Sequence, residues 1–145
     1  MQTVHIYVET DITAPQSAER ISGYVLECIT GSGRTVTKER FQKKTGTYHQ
    51  VILQTLAEAL ERINKSCEVH IHTQNTFVMN MIERNLPGWA ENDFRNVKGE
   101  RIKNHSQWSR VWKAGQKHLL VTEEGMHTYH NWMTDEMMKM KMRKA

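Results

Sequence analysis

The chain predicts an α/β fold, a mixed five-stranded sheet in which an antiparallel meander adjoins parallel strands, with helices flanking it. Three features carry this expectation. Three β-branched and aromatic runs fill the first third of the chain, two of them joined by a glycine-containing turn. Short apolar runs then alternate with segments whose apolar residues recur at helical spacing. Strands that follow directly on one another can pair as a meander, whereas strands separated by helices need crossover connections.

The first strand is expected over residues 3–9, ended by the polar, proline-containing stretch after Glu9. Residues 21–29 and 35–41 predict the next two strands. Thr30-Gly31-Ser32-Gly33 lies between them and supplies the glycines a tight turn needs. Over residues 47–64, Ile52, Leu56, Ala59 and Ile63 recur at three- and four-residue steps, with Leu53 and Leu60 widening the stripe. That pattern is a helix burying one face, with Thr47 as its N-cap. A strand at 67–73 and a helix at 75–84 follow, and Leu86-Pro87-Gly88 interrupts the helix. A polar segment, a helix at 104–114, a strand at 118–122 and a last helix from about 129 complete the order.

The 145 residues suit a single domain spanning 1–145, and 38% hydrophobic with 25% charged residues is the composition of a soluble, packed protein. Lys and Arg number 20 against 16 Asp and Glu, a formal charge of +4 that favours polyanions over acidic surfaces. The N-terminal region lacks the charged start and apolar centre of a signal peptide, and no stretch reads as a membrane span. Cys28 and Cys67, without a CxxC spacing, read as reduced thiols. The expected location is cytoplasmic, without a membrane partner.

Arg101-Ile102-Lys103-Asn104, followed by Trp108 on the predicted helix, is an unusual local signature. With Gly23-Tyr24, Thr47, Cys67-Glu68-Val69 leading to Thr73, and Asn131-Trp132-Met133-Thr134-Asp135-Glu136-Met137, it resembles the ribonuclease H family nearly end to end. The resemblance implies a ribonuclease H-like fold and hydrolysis by two Mg²⁺ ions held by four carboxylates. Those four positions fall here on Glu9, Ile52, Gln74 and Asp135. Isoleucine cannot ligate Mg²⁺, and glutamine offers only a neutral carbonyl. If the register slipped near Ile52, Gln50 or His49 would stand there, and neither supplies an anionic oxygen.

Glu9 and Asp135 are therefore the expected remnants of a catalytic site. No metal cofactor is expected, with Mg²⁺ or Mn²⁺ between Glu9 and Asp135 only if activity remains. His127 is the counterpart of the family's mobile histidine or else a surface imidazole, and His130 is read in the same two ways. His70 with His72, or His127 with His130, could form a zinc site, but neither pair belongs to a Cys/His framework of known spacing, so tolerated or core histidines are the favoured reading.

The resemblance also implies a phosphate-side surface made by Thr47, Gln50, Arg101, Lys103 and Asn104. Thr47 reads equally as a helix cap, and Lys103-Asn104 as a solvated helix start. Tyr48 and His49 replace the small polar residues that would sense 2′-hydroxyls, which weakens selectivity for hybrids. The tryptophans are expected in the core or a groove wall, and Met133, Met137 and Met140 to pack on the sheet. The basic run 139–144 reads as a solvated end. The expectation is a catalytically degenerate module that binds an RNA-DNA hybrid or duplex without cleaving it. The alternatives are a protein-interaction domain and a weak Mg-dependent nuclease using Glu9 and Asp135.

Overall fold

Strand β1 (Gln2–Thr10) pairs antiparallel with β2 (Ala18–Ile29), and β2 pairs antiparallel with β3 (Thr35–Gly46). The turn between β2 and β3 closes with Thr30 N–H on the Arg34 carbonyl at 2.8 Å, and Gly33 adopts φ 83°, which glycine reaches without a Cβ penalty. Strand β4 (Cys67–His72) lies parallel to β1, and β5 (Leu119–Glu123) parallel to β4, giving the sheet order β3-β2-β1-β4-β5. The helices are α1 (Tyr48–Glu61), α2 (Thr76–Arg84), α3 (Leu86–Glu91), α4 (His105–Gly115) and α5 (His130–Met142). These elements come from a computed structural model that describes residues 2–143, so Lys144 of the basic run lies outside the described residues.

The expected mixed sheet is present, but β2 begins at Ala18 and not at Ile21, and β3 and residues 86–88 also depart from the expectation. Strand β3 runs on to Gly46, through the polar run Gln42-Lys43-Lys44-Thr45, which offers no apolar alternation to read although it is half-buried. The interruption at residues 86–88 is a helix start and not a loop: Pro87 sits in the first turn of α3, where its missing N–H costs nothing.

Alternation along β1 separates two packing faces. Val4, Ile6 and Val8 join Ile52, Leu53, Leu56 and Leu60 of α1, Val78 of α2, and Trp108 and Val111 of α4 in the larger core. Tyr7 points to the other face, where it packs with Ile21 and Val25 against Met133 and Met137 of α5. Met140 is packed against the same cluster, so the methionine stripe lies on the sheet as its spacing implies. Glu9 shares the parity of Tyr7 and so belongs to the α5 side, at the end of the central strand.

Two further contacts fix this end of the sheet. Arg20 is 1% exposed and donates to the carbonyls of Ile12 at 2.7 Å, Gly46 at 3.1 Å and Gln16, tying the β1–β2 loop to the end of β3. The Phe41 ring covers Gly23, where an added Cβ would sit 2.2 Å from a ring carbon. Trp108 is buried with Trp89 edge-on to it at 5.2 Å, while Trp132 lies half-open against Phe41 and Tyr129. Both cysteines are free, Cys67 buried and Cys28 partly so. Among the described residues, no helix is long and apolar enough to cross a membrane.

Candidate functional site

The feature that organises the site is a carboxylate with almost no access to water. Glu9 is 1% exposed, and an ionised carboxylate in such a place must be compensated by donors. Its Oε2 accepts from His127 Nε2 at 2.7 Å and from His130 Nδ1 at 3.2 Å. Its Oε1 has longer contacts, to Thr73 Oγ1 at 3.5 Å and to the Gln74 N–H at 3.4 Å. His127 comes from the β5–α5 loop, which turns at Gly125 with φ 97°, and His130 is the first residue of α5. Glu9, His127 and His130 converge so that one ligand atom from each lies within 4.8 Å of the others.

His127 is thus a buried partner of Glu9 and not a surface imidazole, its side chain being 2% exposed. Asp135 does not share this site. It follows Met133, which faces the sheet, by two residues, about 200° of helix rotation, and so lies on the exposed side of α5. The sequence run 131–137 placed an acid here, but the face that α5 buries is set by its methionines, and His130 is the residue of that helix that reaches Glu9. Ile52 is 0% exposed in the larger core. Gln74 is exposed and approaches Glu9 through its main chain.

A polar strip leads away from Glu9 across the helix N-termini. Asn75 caps α2 by accepting from Val78 N–H at 3.0 Å, and its amide meets His49 Nδ1 at 2.9 Å. Burial, then the positive charge of Lys103, holds the His49 imidazole below its ordinary value. Burial, then the charge of Glu9, pushes the Tyr48 phenol up to about 12. Thr47 and Gln50 form a reciprocal capping box at the start of α1. Gln50 Nε2 also donates to Asn104 Oδ1 at 3.1 Å, so the Asn104 side chain bonds to α1 and makes no cap bond on α4, where it holds φ 61°. The structure therefore joins Thr47, Gln50 and Asn104 through side-chain bonds. Lys103 and Arg101 are exposed, and Arg101 lines a groove with His105, Ser106, Ser109, Arg110 and Lys113.

Histidine alternation along β4 puts His70 and His72 on one face, as the spacing implies, and the parallel register brings His5 and Tyr7 of β1 beside them. His5 Nδ1 meets His72 Nε2 at 2.9 Å, and His70 contacts Glu123 at 2.6 Å and Glu68 at 2.7 Å. Burial opposes the charge on His70, but its two carboxylate partners outweigh it and raise its pKa. Burial, then the neighbouring His5, lowers His72 to about 4. Tyr7 stacks on His72 with centroids 4.4 Å apart and lies 5.0 Å from His127, which links this row of rings to the Glu9 site. The contribution of His5 depends on strand pairing and has no local sequence signal.

The sheet order and the helices packed on its two faces are those of the ribonuclease H fold. The chain matches LC9-RNase H1, a type 1 RNase H with the type 2 active-site motif, with TM-score 0.69, 16% identity, and 97% of this chain and 70% of that one covered. It matches the foamy viral protease-reverse transcriptase, solved in complex with an RNA/DNA hybrid, with TM-score 0.64 and 17% identity over 94% of this chain and 19% of that one. In sequence, the ribonuclease H of Acidiphilium cryptum (strain JF-5) is 33% identical over 72 residues, which are 50% of this chain and 45% of that protein. The chain spans about half the length of the curated relatives it matches. No family model matches. The resemblance to the ribonuclease H family thus stands in fold over nearly the whole chain and in sequence over half of it.

Proposed function

We propose that this protein is a ribonuclease H-like module that binds nucleic acid, an RNA-DNA hybrid or a duplex, without cleaving it. The observation that carries the reading is a bonded polar strip, Asn104–Gln50–Thr47, with the Lys103 charge felt at His49 and Arg101 exposed two residues before Lys103, near a centre with one acid and two imidazoles. Phosphate contacts need hydroxyl, amide and cationic donors, all present in the strip, and none of them requires a metal. In support, one structural neighbour was solved with a hybrid bound.

Two Mg²⁺ ions do not fit the donor set around Glu9. Hard dications take oxygen ligands, and here a single carboxylate is already bonded to two histidines, while Ile52 is in the core and Asp135 faces away. The exposed position of Asp135 on α5 speaks against the residual-nuclease reading, with one Mg²⁺ between Glu9 and Asp135. The protein-interaction reading has the exposed Met138 and Met142 of α5 in its favour, 57% and 69% open.

Binding through the two cations Arg101 and Lys103 predicts that affinity for a hybrid falls about 12-fold between 50 and 200 mM salt. Arg101→Ala with Lys103→Ala should flatten the slope of log affinity against log salt by about two units. Fluorescence anisotropy with labelled hybrid and duplex DNA checks this, and no binding of either at low salt would remove the proposal.

A further inference from the structure

We propose that Glu9, His127 and His130 form a mononuclear site for a borderline transition-metal ion of the Zn²⁺ class. The inference does not depend on nucleic-acid binding, and it departs from the expectation of no metal drawn from the sequence. Imidazole nitrogen suits such ions, and one carboxylate with two histidines leaves a coordination position open to solvent or an anionic oxygen.

The two separations from Glu9 are near what an ion would need, and all three ligand atoms lie within 4.8 Å of one another. Ligand atoms of a tetrahedral zinc lie about 3.4 Å apart, given bond lengths near 2.0–2.1 Å. His130 Nδ1 already stands 3.2 Å from Glu9 Oε2, and His127 Nε2 at 2.7 Å needs to open by a few tenths of an ångström. The His127 ring is almost fully buried, and its Nδ1 has no hydrogen-bond partner among the described residues. Its one hydrogen bond is the contact to Glu9 that an ion would replace. Access exists from two sides: one opening is lined by Glu9, Gln74, Gly125 and His127, the other by Thr10, Gln74, His130 and Thr134. The three ligands come from the end of β1, the β5–α5 loop and the start of α5, so an ion here would fasten α5 to the central strand.

The other histidine cluster makes the rival assignment. His70 is held by two carboxylates on opposite sides of its ring, and His5 and His72 bond to each other, so their nitrogens do not converge on one point with a third donor.

The test is titration of the chelator-treated chain with Co²⁺, read by visible absorption, followed by displacement with Zn²⁺. One tightly bound ion per chain with a tetrahedral-type spectrum is expected, with at least tenfold weaker binding in Glu9→Gln and in His130→Gln. Because His130 lies at a helix start with its side chain 19% exposed, His130→Gln carries the test if the Glu9 variant fails to fold. His70→Gln with His72→Gln should leave the spectrum unchanged. Absence of Co²⁺ binding, unaltered binding in His130→Gln, or loss of binding in the His70/His72 variant would overturn the site. A chain that binds Co²⁺ but no nucleic acid would overturn only the proposed function.

Discussion

Ile52→Glu is expected to lower the melting temperature sharply and to give no Mg²⁺-dependent recovery. The substitution restores an acid at the position where the family resemblance implies one, but Ile52 is 0% exposed and packed with the larger core. A carboxylate there would have to stay neutral or be charged without a partner, at a cost of about 4 kcal/mol. For a chain of this size that corresponds to a fall of roughly 8–16 °C. Thermal unfolding followed by circular dichroism, with and without Mg²⁺, distinguishes the outcomes. A variant as stable as the parent and further stabilised by Mg²⁺ would mean that a side chain at this position can reach Glu9 and share an ion with it.

Acid should destabilise the fold through His72 before the carboxylates titrate fully. Burial and the adjacent His5 hold the His72 imidazole down to about 4, below its ordinary value of 6.5. The unfolded chain therefore takes up this proton first as pH falls. The contribution is complete above pH 6.5 and is lost progressively down to pH 4, at most about 3 kcal/mol. His70 runs the other way: its raised value means its contribution is complete below the ordinary histidine value and fades as pH rises through the folded value. Melting curves at pH 7 and pH 4.5 should show a larger loss for the parent than for His72→Gln. Equal losses in both would remove His72 as the cause.

The element order could be read in advance because both periodicities are strong: Ile52, Leu56, Ala59 and Ile63 mark α1, and the β-branched runs mark the strands. Where the sequence says less, the reason is physical. The second half of β3 is half-buried but built of polar residues, Gln42-Lys43-Lys44-Thr45, so it carries no apolar alternation, and Pro87 reads as a breaker although it opens α3. The contact of Gln50 with Asn104 spans 54 residues, and the resemblance placed both on one surface without showing that they bond. The neighbours of Glu9 were harder to foresee. His127 and His130 lie 118 and 121 residues from it, and only the phase of α5, fixed by Met133 and Met137 on the sheet, decides that His130 and not Asp135 turns inward. The resemblance sets Glu9 and His127 in one site, but it does not show that His130 joins them.

The balance of the two halves of the site follows from this geometry. The strip near α4 keeps donors that can grip a phosphate backbone, whereas the end of β1 keeps one acid whose bonds go to imidazoles and to the Thr73–Gln74 turn. Contacts that position a strand through its phosphates need no metal, so the proposed binding rests on the strip alone.

The most direct measurement incubates the 145-residue chain with end-labelled RNA-DNA hybrid and duplex DNA, in Mg²⁺ and in Mn²⁺, and resolves both mobility and length. The account predicts retarded hybrid of unchanged length with either ion. Hybrid cut into discrete fragments by the parent chain but left intact by Glu9→Gln would contradict it.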